Sequence, residues 1–288
     1  GKKEEYVMQA TKTSLYSYVS VLMMENKVVT KKVLERAGIS VPGGYEYTSP
    51  EAGMADYRLY AGKPVVIKPK STNFGLGITI LKHNYDETDF KAALQIAFEH
   101  DNTVLIEKFI PGREFRIFII NDEVVGILHR VPANVTGDGV LNIGQLIDMK
   151  NEDPLRGKGY RTPLEKIRKG REEEMFLKQQ GMDFNTVPKE REVVYLRENS
   201  NISTGGDSID FTDDIDDSYK AIAVEAAKAL NVKITGLDMM IQDIHAPATP
   251  DNYAIIEMNF NPAIHIHCYP FKGKNRHLNH KMIKALGF

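Results

Sequence analysis

The sequence has a single cysteine, Cys268, and no apolar run that approaches the ~20 residues of a membrane-spanning helix. One cysteine excludes an internal disulfide and is typical of proteins in a reducing compartment. The first residues, Gly1 to Glu5, lack the apolar core of a signal peptide. These absences predict a cytoplasmic protein that has no membrane partner.

An excess of charge of one sign is also missing. The 288 residues include 37 lysines and arginines against 39 aspartates and glutamates, for a formal net charge of −2. A nucleic-acid-binding protein would need a marked basic excess, so we expect no nucleic-acid partner. With 42% hydrophobic and 26% charged residues, the composition is that of a globular chain and not of a disordered one. We expect an enzyme with one large domain or two lobes.

Hydrophobic periodicity predicts alternating helices and short strands. Residues 6–24 have apolar residues at mixed spacing and indicate a helix or an ordered leader. Predicted helices cover residues 26–38, 89–100, 168–180 and 218–230. Predicted strands cover residues 64–68, 78–81, 103–107, 115–120, 124–128, 234–241 and 253–259. This pattern predicts an α+β fold.

The strongest change in composition lies at Pro111-Gly112, where we place the boundary between two α+β lobes. We expect a leader or linker at residues 1–25, a first lobe at 26–110 and a second lobe at 111–288. Residues 150–192 are hydrophilic, and we interpret them as a surface insertion in the second lobe.

A loop of small and polar residues joins the predicted strands that end at Lys68 and begin at Ile78. Gly75 and Gly77 allow the backbone to approach a ligand closely, and Lys68 supplies positive charge. No GxxxxGK[ST] motif occurs, which excludes a Walker A loop, and the lack of a third glycine and a following helix disfavours a dinucleotide fingerprint. The loop could cover phosphates with its backbone N–H groups, or it could be an ordinary flexible hairpin.

Three oxygen-bearing side chains lie on the last two predicted strands. Glu257 and Asn259 are two residues apart, so both point to one face, and Asp238 lies within an otherwise apolar neighbouring strand. Carboxylate and amide oxygens are suited to Mg²⁺ that bridges substrate phosphates. The alternative is the polar face of an antiparallel sheet, which a buried Asp238 would disfavour because a buried carboxylate needs a partner.

The strand that ends at Pro111-Gly112 exposes backbone groups that could bind the edge of a planar ligand. Glu114 and Arg116 then share one face of the next strand. A charged surface corner is an equally good interpretation of this segment.

Three further segments carry a resemblance to a known family: RVPANVTGDG at residues 130–139, NSNISTGGDSID at 199–210 and NPAIHIH at 261–267. With the three patterns above, they make the chain similar to the ATP-grasp superfamily of carboxylate–amine ligases from about Asn26 to the C-terminus. More closely, it resembles the glutathione synthetase part of the bifunctional bacterial glutamate–cysteine ligase/glutathione synthetases. Cyanophycin synthetases carry relatives of the first two segments, whereas the third segment and residues 269–276 favour glutathione synthesis.

The resemblance implies an ATP-grasp fold, in which ATP lies between two α/β lobes of antiparallel sheets flanked by helices. Its implied nucleotide contacts are phosphate-binding Lys27 and Lys68, a mobile lid with Ser71, Gly75 and Gly77, an adenine-binding hinge of Glu107, Lys108, Phe109 and Ile110, and ribose-binding Glu114. It also implies that Asp238, Glu257 and Asn259 bind Mg²⁺ or Mn²⁺, with two ions expected. Arg130 would present a cation to the transferred phosphoryl group.

The implied reaction joins γ-glutamylcysteine to glycine through an acyl phosphate and releases ADP and phosphate. A ligase for another amino acid or peptide, as in cyanophycin synthetases, and a nucleotide-binding domain without catalysis stay open as alternatives. Members of the superfamily usually carry a further domain before the grasp. We expect a covalently linked glutamate–cysteine ligase domain in a longer protein, and the alternative is that part of the acceptor site comes from elsewhere. A homodimer also stays open. For His265 and His267, we favour packing or substrate hydrogen bonds over metal binding.

Overall fold

The computed structural model describes residues 4–72, 76–82, 84–159 and 161–288. The chain forms two units, each assembled from segments that are distant in the sequence. Unit 1 comprises Gly1–Arg113, Ile117–Val124 and Ile215–Pro262, and unit 2 comprises Glu114–Arg116, Val125–Asp214 and Ala263–Phe288. Among the described residues, no helix combines the length and apolar character needed to cross a membrane. The lobe boundary expected near residue 110 stays a prediction.

Helices and strands are numbered in chain order. The helices of unit 1 are α1 (Tyr18–Glu25), α2 (Lys27–Arg36), α3 (Pro50–Ala55), α4 (Tyr57–Tyr60), α5 (Glu87–Phe98) and α8 (Asp217–Ala229). Its strands are β1 (Gly44–Tyr47), β2 (Val65–Pro69), β3 (Thr79–Leu81), β4 (Val104–Lys108), β12 (Ile234–Ile241) and β13 (Tyr253–Asn259). Strands β5 (Arg113–Ile120) and β6 (Glu123–Val131) each contribute residues to both units.

Helix α2 has clear signals at both ends. The side chain of Asn26 accepts hydrogen bonds from the backbone N–H groups of Val28 and Val29, which caps the N-terminus. After the helix, Gly38 has φ +75°, a left-handed conformation that glycine adopts without strain. The predicted helix at residues 26–38 is therefore confirmed, and its cap places Lys27 in the first turn.

Four strands of unit 1 form an antiparallel sheet in the order β1-β4-β2-β3. Alternate residues of β2 are buried, so Val65 and Ile67 face the core and Lys68 faces the other way. Glu107 lies opposite Val66 in the register and therefore shares the face of Lys68. The core on the opposite face includes Tyr47, Tyr60, Val65, Ile67, Phe90, Ala93, Leu94, Ala97, Val104 and Ile106.

Strands β12 and β13 pair antiparallel, with Asp238 opposite Glu257 and Gly236 opposite Asn259. The register shifts between Asp238 and Met239, which indicates a bulge or irregularity next to the aspartate. Both strands match their predicted bounds.

Unit 2 contains short elements. Its helices are α6 (Ile143–Lys150), α7 (Arg171–Gln179), α9 (His265–Cys268) and α10 (Leu278–Ala285), with a 3-10 turn at Ile202–Thr204. Its strands are β7 (Asn134–Thr136), β8 (Arg156–Gly157), β9 (Leu164–Glu165), β10 (Val193–Tyr195) and β11 (Asp207–Asp210). β11 pairs antiparallel with β6, β10 pairs antiparallel with β7, and β8 pairs parallel with β9.

A core cluster of unit 2 gathers apolar residues from several of these elements: Ala133, Val135, Ile143, Leu146, Ile147, Ile167, Leu177, Val194 and Leu196. Ile167 and Leu177 belong to the stretch that we interpreted as a surface insertion. This stretch therefore contributes apolar side chains to a core in addition to its charged surface.

Phe90 belongs to the apolar core that β2 covers, so a cavity at this position should destabilise the fold strongly. The Phe90 ring is fully buried and lies 5.2 Å from the ring of Tyr57 and 5.7 Å from that of Tyr60, centroid to centroid. We expect Phe90→Ala to lower the free energy of unfolding by about 3–5 kcal/mol. Urea denaturation followed by circular dichroism measures this loss. Lys91→Ala, at an exposed neighbouring position of α5, should change it by less than about 0.5 kcal/mol.

Candidate functional site

The three predicted metal ligands lie on one face of the β12–β13 pair. Asp238 and Glu257 are directly opposite one another, and Asn259 follows two residues after Glu257 on the same face. Asp238 is 2% exposed, as predicted for a carboxylate within an apolar strand. The Asn259 amide nitrogen is buried and has no hydrogen-bond partner among the described residues. A flip of the Asn259 amide exchanges its nitrogen and oxygen, which brings the oxygen to this position as a possible metal ligand.

This donor set fits a hard divalent cation, because all three side chains offer oxygen atoms from one face of two paired strands. No group of three or more His, Cys, Asp or Glu residues suited to a metal occurs in the described part of the chain. A metal at this face would therefore need the amide of Asn259, and phosphate or water oxygens, alongside the two carboxylates.

Lys27 reaches the same region from α2. Its ammonium lies 4.0 Å from Oε1 of Glu257 and donates a 3.1 Å hydrogen bond to the backbone carbonyl of Thr72. Burial lowers the pKa of Lys27, Glu257 opposes that effect, and the charge of Lys68 lowers the pKa further. Lys27 and Lys68 therefore lie close enough to interact electrostatically, as expected for two cations that share one polyanionic ligand.

Lys68 is held by a buried carboxylate. Its ammonium lies 2.8 Å from Oε2 of Glu107, and the ammonium of Lys31 lies 2.9 Å from Oε1. Burial alone would raise the pKa of Glu107, but Lys68 and Lys31 hold it below its ordinary value. Lys31 is not among the residues predicted from the sequence. Its position four residues after Lys27, on the same helical face, is the signal that could have found it.

The loop after Lys68 is fastened at both ends. The backbone N–H of Ser71 donates to Asp101 at 2.7 Å, and the Thr72 hydroxyl donates to the carbonyl of Leu76 at 2.9 Å. Gly77 has φ +73°, and a β-carbon there would lie 2.7 Å from side-chain atoms of Pro69 and His100. Gly77 is therefore required for the close packing of the loop end, whereas Gly75 lies outside the described residues.

The predicted adenine hinge follows β4. The backbone N–H groups of Lys108 and Phe109 donate to the carbonyls of Gly43 and Pro64 at 2.8 and 3.0 Å. The Lys82 ammonium lies 5.7 Å from the centroid of the Phe109 ring. Both of these N–H groups are therefore already used within unit 1, and Ile110 is half-buried.

A tight hairpin at residues 8–12, the leader hairpin, contacts the segment that follows β13. Met8 and Lys12 exchange two backbone hydrogen bonds of 2.9 Å, and Gln9 and Ala10 between them have φ of 50° and 67°. The buried Thr11 hydroxyl donates to the Asn261 side-chain oxygen at 2.8 Å, and the Asn261 amide nitrogen donates to Gln9 at 2.9 Å. Residues 8–12 are thus an ordered part of unit 1.

In unit 2, the structure brings two predicted residues into contact. The Arg130 guanidinium forms an ion pair with Oε1 of Glu114, and the Ser200 hydroxyl donates to Oε2 at 3.0 Å. Glu114 therefore contacts both Arg130, which we expect to contact the phosphoryl group, and the start of the loop at residues 199–206.

A buried charge network supports the other end of that loop. Asp207 accepts hydrogen bonds from Asn134 at 3.0 Å and from Lys150 at 2.7 Å, and it forms an ion pair with Arg156. Arg156 also donates to the carbonyl of Gly205 at 3.0 Å. Arg156 on β8 and Lys150 on α6 thereby support the end of the loop at residues 199–206.

His267 is fully buried in unit 2, whereas His265 is half-buried. Burial lowers the pKa of His267 to about 3, so the imidazole is neutral at physiological pH. A β-carbon at Gly126 would lie 2.7 Å from its Nδ1 atom, which shows how closely the ring packs on β6. This environment favours the packing role for His267.

Comparison with known proteins independently supports the resemblance to ATP-grasp ligases. The family model described as the D-ala D-ala ligase C-terminus matches residues 46–145. The glutathione biosynthesis bifunctional protein of Desulfotalea psychrophila is 63% identical over 286 residues, which are 99% of this chain and 37% of that protein. The chain thus spans well under half of this curated relative.

Solved structures give the same picture. The crystal structure of a bifunctional glutathione synthetase from Pasteurella multocida matches with a TM-score of 0.75 and 49% identity, over 98% of this chain and 39% of that one. A D-alanine–D-alanine ligase from Bacillus anthracis matches with a TM-score of 0.51 and 20% identity, over 85% of this chain and 59% of that one, a likeness of fold alone. The expected ATP-grasp fold and the resemblance to the bifunctional proteins are confirmed.

Because His267 is buried and neutral, we expect the free energy of unfolding to fall as the pH is lowered. Between pH 6.5 and about 3 the unfolded chain protonates this histidine and the folded chain does not, so stability is lost as the pH falls. The contribution of His267 is at most about 1.4 kcal/mol per pH unit. We expect His267→Leu to flatten the fall in unfolding free energy, measured by urea denaturation from pH 7 to 4. The exposed His280→Leu should keep the wild-type slope, and an unchanged slope in His267→Leu would contradict the assignment.

Proposed function

We propose that the chain, which belongs to the ATP-grasp superfamily, is an ATP-dependent carboxylate–amine ligase that joins γ-glutamylcysteine to glycine. The observation that carries this proposal is the convergence in unit 1 of two lysines with a set of oxygen donors. Lys27 lies 4.0 Å from Glu257, Glu257 lies opposite Asp238, and Lys68 influences the pKa of Lys27. Such an arrangement suits the phosphates of a nucleotide and the cation that accompanies them.

The proposed reaction has two steps. The carboxylate of γ-glutamylcysteine attacks the γ-phosphorus of ATP, which forms an acyl phosphate and releases ADP. The amine of glycine then attacks the acyl carbon, loses a proton and expels inorganic phosphate. Lys27 and Lys68 neutralise the negative charge on the phosphates during the transfer. No covalent nucleophile of the protein is required.

Asp238, Glu257 and Asn259 are the residues that would hold Mg²⁺ or Mn²⁺, with two ions expected. A bound metal would offset the negative charge of the substrate phosphates. The Lys27 ammonium beside Glu257 orients that carboxylate before a nucleotide arrives.

For unit 2 we propose that Arg130 binds the transferred phosphoryl group and that Glu114 accepts hydrogen bonds from the ribose. The contacts of Glu114 with Arg130 and Ser200 support a shared role for these side chains. Arg156, through its hydrogen bond to Gly205, would keep the 199–206 loop in a conformation that can contact the amino-acid substrates.

We further propose that the chain works within a longer protein in which a covalently linked glutamate–cysteine ligase part supplies γ-glutamylcysteine. The relative from Desulfotalea psychrophila, of which the chain spans 37%, is named as a bifunctional protein of glutathione biosynthesis. That name supports a fused arrangement.

The experiment that tests the proposed function is ADP release from Mg-ATP by the purified chain. We expect release that needs γ-glutamylcysteine and glycine together and stops when either is omitted. Release with another amine in place of glycine would overturn the assigned substrate but keep the ligase chemistry. Absence of Mg-ATP binding would overturn the proposed function entirely.

The metal assignment predicts the behaviour of a single variant. Glu257→Gln removes one negative charge between Lys27 and Asp238 and should lower turnover more than about 100-fold. Steady-state ADP release at increasing Mg²⁺ concentrations measures the loss, and a higher Mg²⁺ requirement is expected for any residual activity. Glu225→Gln, which breaks an exposed ion pair with Lys228 on α8, should retain wild-type turnover.

A further inference from the structure

Lys31 is a partly buried lysine to which the proposed reaction gives no role. It lies four residues after Lys27 on α2, and both side chains are 16% exposed. The two lysines face one small cavity that Thr30, Glu257 and Met258 also line. One face of α2 therefore carries Lys27, which approaches Glu257 on β13, and Lys31, which binds Glu107 on β4.

The partner of Lys31 is Glu107 on β4. The Lys31 ammonium binds Oε1 at 2.9 Å and the Lys68 ammonium binds Oε2 at 2.8 Å. The Glu107 side chain is only 4% exposed, so each oxygen is committed to one ammonium and water competes little. The carboxylate plane is fixed by two contacts in place of one.

The charge balance of this cluster explains why a bridge is needed. The charge of Lys68 lowers the pKa of Lys27, and the Glu107 carboxylate opposes this effect. The buried Glu107 carboxylate is bound by Lys31 through one oxygen, and its other oxygen binds Lys68 and limits the movement of that ammonium.

We propose that Lys31 is a positioning residue that, through Glu107, sets the place of the Lys68 ammonium relative to Lys27. Lys31 links α2 to β4, and Glu107 links β4 to Lys68 on β2. The path therefore connects the backbone elements that carry the two phosphate-binding lysines. This inference rests on the proposed function, because it assumes that Lys27 and Lys68 bind nucleotide phosphates.

Lys31→Met is the test variant, because Glu107 keeps Lys68 as a partner and no buried charge is left alone. We expect the dissociation constant of the Mg²⁺ complex of a non-hydrolysable ATP analogue to rise about tenfold, and kcat/KM for ATP to fall roughly 10- to 100-fold through a misplaced Lys68. Calorimetric titration and steady-state ADP release measure these changes in the full chain.

Lys32→Met is the matched control, since Lys32 is the next residue of α2 and is exposed. It should bind the analogue like the wild type. Lys31→Arg keeps the charge and the donor and should restore most of the affinity, a rescue that a merely structural loss would not show. Glu107→Gln should weaken analogue binding more than Lys31→Met, and adding Lys31→Met to it should cost little more, because both act on one contact.

The outcomes separate this inference from the proposed function. If the wild type binds the analogue and Lys31→Met matches Lys32→Met, the positioning role is overturned and the proposed function stands. If Lys31→Met loses affinity only in step with a lower thermal midpoint and Lys31→Arg does not restore it, the role is structural and the inference also falls. If the wild type binds no analogue, the proposed function fails and takes the inference with it.

Discussion

A buried carboxylate must be paired, and in this chain the pairing of Glu107 organises the surroundings of Lys68. The Glu107 side chain faces away from the apolar core of unit 1 because the β2–β4 register places it on the side opposite to Val65 and Ile67. Desolvation of that carboxylate would be costly without its two ammonium partners. The local sheet, the capped start of α2 and the position of the lysines are therefore linked by one electrostatic requirement.

A second constraint is the pairing of β12 with β13. Cross-strand register, and not sequence distance, brings Asp238 next to Glu257. Apolar residues on both sides of Asp238, among them Leu237 and Met239, are fully buried and hold this register. A one-residue slip of either strand would send its oxygen donors to the other face, so the site depends on the apolar pattern that fixes the register.

Much of this could be predicted from local pattern. Three features depend only on residues that are close together in the sequence. They are the helix cap at Asn26, the alternation in β2 and the two-residue spacing of Glu257 and Asn259. Contacts between distant segments could not be predicted in this way. Lys31 meets Glu107 across 76 positions, and Arg156 meets Asp207 across 51, and single-sequence periodicity carries no signal for either pairing. The helices α3, α6 and α10 were also not predicted, since short helices offer few turns of apolar repeat.

The leader hairpin has a mechanical consequence. Thr11 and Gln9 hold both ends of the Asn261 amide, and Asn261 lies two residues beyond Asn259. The chain that leaves β13 is therefore anchored two residues beyond Asn259 by side chains of residues 8–12. Gln9 and Ala10 adopt left-handed backbone conformations that non-glycine residues seldom take, and the hairpin keeps them in place. A segment far away in the sequence thus fixes the end of the strand that carries two of the three oxygen donors.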